Sequence, residues 1–140
     1  MLLEILKIYR TIDGNDSANV AAALYFLSSL YIQRGELQKA ETCLKRALEM
    51  KLRLVSPTHV DVAACYSNLA LCHRLQGKFV EAKEEFQRAL DILLPIRGSN
   101  HEGCMKLIVD IEICALAIEG RVDLEMLQNA ENRTKTEQTY

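Results

Sequence analysis

Tryptophan is absent from this 140-residue chain, and aromatic residues reach only 6%. A core with so few large rings has to be filled by Leu, Ala, Ile and Val. Glycine (6) and proline (2) are scarce, which argues against an all-β fold rich in turns. Neither sign of charge is in excess: 17 Lys and Arg stand against 19 Asp and Glu, a net charge of −2. Phosphate contacts need a basic surplus, so nucleic acid is not an expected partner, and a membrane surface is not expected either. No run of about 18 apolar residues exists to span a bilayer. Glu4 and Lys7 interrupt the apolar start MLLEILKIYR, which therefore reads as an amphipathic helix rather than a signal peptide. The five cysteines, Cys43, Cys65, Cys72, Cys104 and Cys114, lack CxxC spacing and are odd in number. Free thiols in a reducing, cytoplasmic setting are expected. GxxxxGK, GxSxG, HExxH and GxGxxG are all missing, so no catalytic residue, cofactor or enzyme activity is predicted.

What the chain does have is 49% hydrophobic residues, embedded among Leu, Ala, Glu, Lys, Arg and Gln, the strong helix formers. The length fits one domain, which at this size buries about two-thirds of its unfolded surface. The sequence also repeats itself. An offset of 42 places Val20 on Val62, Ala21 on Ala63, Leu27 on Leu69 and Gly35 on Gly77. It also places Ala40 on Ala82, and Arg46-Ala47-Leu48 on Arg88-Ala89-Leu90. No gap is needed between Ser17 and Asn100, which indicates duplication.

Each unit reads as two helices. In the second, Thr58 and Asp61 fit a capping box. Val62, Tyr66, Leu69 and His73 then recur at helical steps until Gly77. A further helix starts at Phe79 and carries Ala82, Phe86, Ala89, Leu90, Leu93 and Leu94 on one side. Pro95 and Gly98-Ser99-Asn100 are expected to close it. Charged pairs at i,i+4, such as Glu41/Lys45 and Glu84/Arg88, lie opposite. Residues 1–12 match the second helix of an earlier unit, with Leu2, Leu3, Ile5, Leu6 and Ile8 on show, and Asp13-Gly14-Asn15-Asp16 reads as a turn. Forward, His101 matches His59 and Cys114 matches Cys72, but Gly120 arrives one residue late. The predicted layout is a partial repeat at 1–12, repeats at 17–58 and 59–100, a degenerate or capping repeat at 101–132 and a flexible tail at 133–140.

The small and large residues at fixed offsets resemble the tetratricopeptide repeat. Its large-large-small-large pattern falls on Leu24, Leu27, Ser28 and Tyr31, then on Tyr66, Leu69, Ala70 and His73. Its turn glycine is Gly35 and Gly77, and its second-helix alanines are Ala40, Ala47, Ala82 and Ala89. The 42-residue period, the stretch from His59 to Ala70 and the run Gly77-Lys78-Phe79 are similar to the kinesin light chain variety. The resemblance implies an all-α, right-handed α–α superhelix of antiparallel helix pairs, a scaffold or adaptor that grips a short peptide in a concave groove. Transferred by register, the groove positions are Tyr25, Ser29 and Gln33, then Ser67, Asn68, Leu71 and Arg74, then Lys106, Val109, Asp110 and Ile113. For Asn68 two roles stay open: gripping a peptide backbone, or a helix–helix hydrogen bond. The family's carboxylate-clamp Lys and Asn are not matched. The alternative expectation is a structural solenoid segment, either part of a longer protein or a homo-oligomer joined through its exposed N-terminal helix.

Other polar residues have local readings. His59 and His101, one per helix start, could form a metal pair or a pH switch. No zinc ligand spacing accompanies them, so a residue beside a helix cap is expected, and no metal site. His73 takes the slot of Tyr31 and is expected to be packed or at a rim. Cys72 and Cys114 share a slot and read as small apolar fillers rather than redox partners.

Overall fold

The computed structural model describes residues 2–13 and 18–139. Those residues form seven helices and no strand: α1 (Leu2–Asp13), α2 (Ala18–Gln33), α3 (Leu37–Leu54), α4 (Val60–Leu75), α5 (Phe79–Arg97), α6 (Glu102–Ile118) and α7 (Leu124–Thr139). Most of the turn expected at Asp13–Asp16 lies outside the described residues.

Helix starts and stops follow from local chemistry. α4 begins after His59, whose Nδ1 accepts from the Asp61 amide at 3.0 Å. α6 begins after His101, whose Nδ1 accepts from the Gly103 amide at 3.1 Å. This corrects the expected Thr58/Asp61 box: the helix starts later, and the Thr58 hydroxyl turns to Ser56 Oγ at 3.0 Å. The imidazole does what Ser or Asp does at other N-caps, satisfying an orphan amide. At the other end, the Gly77 amide bonds to the Arg74 carbonyl and the Lys78 amide to the His73 carbonyl. This pair of bonds requires a left-handed residue between them. Gly77 supplies it at φ 80, as Gly35 does at φ 76. The same bonds form around Gly120, so the third unit keeps its turn despite the one-residue delay.

Two expected boundaries move. α5 runs through Pro95 to Arg97 and stops at Gly98. Proline deprives the Asp91 carbonyl of its partner, but the loss falls near the helix end, where residues 94–97 are exposed and solvent can serve. The backbone of α7 is helical to Thr139, through the segment from 133 read as a tail. Helical backbone does not require an apolar period. The segment contains no Gly or Pro and several good helix formers, and Asp123 Oδ1 caps it by accepting from the Met126 amide at 2.8 Å.

Packing is sequential. From α1 to α6 each helix lies against its chain neighbour, and α2 also touches α4. The four register alanines, Ala40, Ala47, Ala82 and Ala89, have no exposed surface. Without bulk at these points the helix backbones approach closely, and Leu44, Met50 and Phe86 fill the spaces beside them. Burying such a large side chain contributes about 1.5–3 kcal/mol. The first core cluster joins Leu6 of α1 to Val20, Leu24, Met50 and Cys65. Leu6 is therefore covered, contrary to expectation, whereas Leu3 and Ile8 remain exposed. A second cluster runs from Ala63 through Phe86 to Cys104 and Cys114, and a third joins Ala40 and Leu44 to Leu69 and Cys72. α7 departs from this pattern: none of residues 124–133 is buried. Among the described residues, no helix is long and apolar enough to cross a membrane.

Candidate functional site

Helices α4 and α6 are the first helices of consecutive units, and a cleft of about 220 Å³ opens between them. Ser67, Asn68, Leu71 and Arg74 of α4 line one wall, and Lys106, Leu107 and Asp110 of α6 the other. Phe86 and Leu93 of α5 supply apolar floor. Six of the eleven groove residues expected from the sequence therefore meet around one space. Their common spacing explains this, because residues at steps of three and four share a helix face.

Arg74 and Asp110 are less available than the register implied. Both are buried, and Arg74 Nη1 stands 3.4 Å from Asp110 Oδ1. Arg74 Nη2 makes a shorter contact, 2.8 Å, to Glu131 Oε1 of α7. Burial raises the Asp110 carboxyl above its usual range and Glu131 adds to the rise, while Arg74 and Lys106 pull it down. One end of the cleft is thus closed by an ion triad, which the sequence did not indicate because Glu131 lies in a segment read as the last short helix. Ser67, Asn68 and Leu71 are half-buried and Lys106 is exposed.

A second cavity, about 230 Å³, lies between α2 and α4, lined by Ala22, Tyr25, Phe26, Lys51, Asp61, Ala64 and Cys65. Lys51 Nζ and Asp61 Oδ2 pair across it at 3.1 Å, and Phe26 is largely exposed. Desolvation raises the Tyr25 phenol, and a hydrogen bond from Asn68 opposes the rise. The Asn68 amide also donates to Ser29 Oγ at 3.5 Å, the outer limit of a hydrogen bond. Asn68 thus makes a helix–helix hydrogen bond from α4 to α2 and also lines the cleft. Gln33 and Val109 are exposed and Ile113 is half-buried, and none of the three lines either cavity.

The strongest polar cluster is elsewhere, and the sequence showed only that His73 occupies a packed or rim slot. His73 is buried between α3 and α5, with Nδ1 2.7 Å from Glu85 Oε2 and Nε2 3.2 Å from Glu41 Oε1. Glu41 also takes Lys45 at 2.8 Å and the Gln76 amide at 3.2 Å. Burial alone would raise the Glu41 carboxyl, but hydrogen bonds from Lys45, His73 and Gln76 outweigh it and hold the pKa at about 2. Glu85 goes the other way: burial raises it, and His73 offsets only part of the rise. A polar residue in the slot that Tyr31 fills one repeat earlier was the available signal. The offset of 42 pairs Glu41 with Lys83 and Glu85 with Cys43, so the partners carry no repeat signature.

The cysteines are free thiols. Burial raises Cys65 to about 11 and Cys72 to about 12, which suppresses the nucleophilic thiolate and suits their place as small core fillers. Among the described residues, no three His, Cys, Asp or Glu side chains are grouped to hold a metal ion.

Stacked antiparallel helix pairs with a cleft between successive first helices define an α–α superhelix of the interaction-scaffold class. The chain belongs to the tetratricopeptide repeat family, whose profile matches residues 1–53 and 23–94. Such repeats generally mediate protein–protein interaction. The chain is similar to the Clustered mitochondria protein homolog of Aspergillus fumigatus, 30% identical over 101 residues. The homologs so named from Neosartorya fischeri and Emericella nidulans match to the same degree. These matches cover 72% of this chain but only 8% of each relative's length. In fold it resembles the crystal structure of BtubC (BKLC) from P. vanneervenii, with a TM-score of 0.74 and 23% sequence identity, over 99% of this chain and 56% of the other.

Proposed function

We propose that this chain is an adaptor module that holds a short, extended peptide of a partner protein between α4 and α6. The observation that supports this is the convergence of Ser67, Asn68, Leu71 and Lys106 on one cleft with an apolar floor. Asn68 has both donor and acceptor capacity for a peptide backbone, and Leu71 offers apolar contact to a side chain. Within the family we place the chain with the 42-residue, kinesin light chain-like variety. The gap-free offset from Gly35 to Gly77 and the similar lengths of α3 and α5 support that placement. Selection of a random-peptide display library on the intact chain, followed by titration of the selected peptides, tests the reading. Asn68→Ala should weaken binding about fivefold to tenfold and Leu71→Glu should weaken it more, with helicity and melting temperature retained. Selected peptides that bind both variants as tightly as the parent would remove the proposal.

A second reading is end-to-end association, either with another copy or with further repeats of a longer protein. Exposed Leu3 and Ile8 on α1 favour it, as does the small share of the relatives' length that the chain spans. Molar mass measured against concentration decides it.

A further inference from the structure

The cleft between α4 and α6 carries more positive than negative charge of its own. Arg74 and Lys106 project from its walls, and Asp110 is the one carboxylate among the lining residues. The balance is restored from outside, by Glu131 of α7 on Arg74 Nη2 at 2.8 Å. That contact is shorter than the 3.4 Å between Arg74 and the cleft's own Asp110. The part of the helix that delivers it is shallowly seated: none of residues 124–133 is buried, and Glu131 itself is 44% exposed. A half-exposed ion pair contributes little to holding a helix in place, whereas a buried guanidinium is costly without its carboxylate. Arg74 therefore needs an acidic partner more than α7 needs Arg74.

We propose that Glu131 of α7 is an internal stand-in for a ligand carboxylate, and that the cleft takes a peptide segment whose Asp or Glu side chain displaces Glu131 from Arg74. This rests on the peptide-cleft reading and adds to it the charge of the ligand and a competing element within the chain. In this exchange no charge is left unpaired. The incoming carboxylate takes over Arg74 Nη2, Lys106 stands at the exposed rim beside it, and Glu131 moves into water with α7. Charge complementarity of this kind sets specificity and register. An internal competitor lowers apparent affinity by the fraction of time it occupies the site.

Parallel selections of a random-peptide display library on the full-length parent, Glu131→Gln and Arg74→Gln test this. Glu131→Gln removes the competitor's charge but keeps its shape. The expected result is that peptides selected on Glu131→Gln show Asp or Glu at one fixed position and bind that variant about fivefold tighter than the parent. The same peptides with Asn or Gln at that position should show no such difference. Arg74→Gln should lose the acidic preference. If its buried site unfolds the variant, Lys106→Gln at the exposed rim replaces it, with a weaker acidic preference expected. Equal affinities of the parent and Glu131→Gln for every selected peptide would overturn the proposal. If that binding is still lost in Leu71→Glu, the cleft reading survives. Selections that yield no peptide on any of the proteins would overturn both.

Discussion

His73 sits where two carboxylates converge from different helices, Glu41 from α3 and Glu85 from α5. Both ring nitrogens face carboxylate oxygens, so the one side chain ties the two carboxylates, and with them α3 and α5, to α4. Removing the ring takes a 2.7 Å contact from part-buried Glu85 and leaves Glu41 with Lys45 and Gln76 alone. His73→Ala should cost about 2–4 kcal/mol and lower the melting temperature by about 10 °C. The pH dependence of the loss is specific. Glu85 is already raised by burial, and without His73 the offsetting attraction is gone. A carboxyl whose folded pKa lies above its unfolded value contributes stability that is complete below about pH 4.5 and lost as pH rises through the folded value. The variant should therefore regain part of its stability as pH falls from neutrality towards about 4.5. Glu41 behaves oppositely in the parent protein: held at about 2, it stabilises above about pH 4.5 and loses that contribution as pH falls towards 2. Thermal melts of both proteins from pH 3 to 8 check both signs. A His73→Ala deficit that does not shrink as pH falls from 7 contradicts this account of Glu85.

At the scale of the element, α1 shows how the repeat rule and its limits work. Its register with α3 and α5 predicts a second-type helix, and Leu6 packs into the first core cluster as that role demands. Leu3, 52% exposed, lies five residues from Ile8 and so on another side of the helix, whereas Ile8, 55% exposed, presents an apolar face at the register position that Met50 fills in α3. If that face seats a second copy, light scattering should show molar mass rising over about a hundredfold range of concentration, and Ile8→Glu should return it to the monomer value. A constant monomer mass across the range rejects self-stacking. The helix pairs, their glycine turns and most of the cleft were legible in the sequence, because small residues and turn glycines act locally and recur with the period. The rest depends on partners far apart in the chain. Glu41 and Glu85 reach His73 from 32 and 12 residues away, and Glu131 reaches Arg74 from 57. The repeat specifies none of these. Pro95 and the end of α7 misled for a different reason: a residue's intrinsic preference does not say whether its helix end is exposed and therefore tolerant.

The whole molecule is held by nearest-neighbour contacts, so its stability should not be uniform. Helices α2 to α5 each pack against both of their chain neighbours, whereas α1 packs against α2 and α6 against α5. Fully buried Val20, Leu44, Met50, Val62 and Cys72 lie on α2, α3 and α4, whereas none of residues 124–133 is buried. Amide hydrogen exchange should therefore be slowest in α3 and α4, intermediate in α6 and fastest in α1 and α7. Leu44→Ala removes a side chain with no exposed surface and should cost about 2–5 kcal/mol at its site. In a stack the cost spreads to adjoining helices before distant ones, so α2 to α4 should lose more protection than α6. A single common protection level throughout, lowered equally by Leu44→Ala, would mean that the units unfold as one block. Opening of α7 while the cleft walls stay folded, which displacement of Glu131 from Arg74 requires, would then be excluded as well.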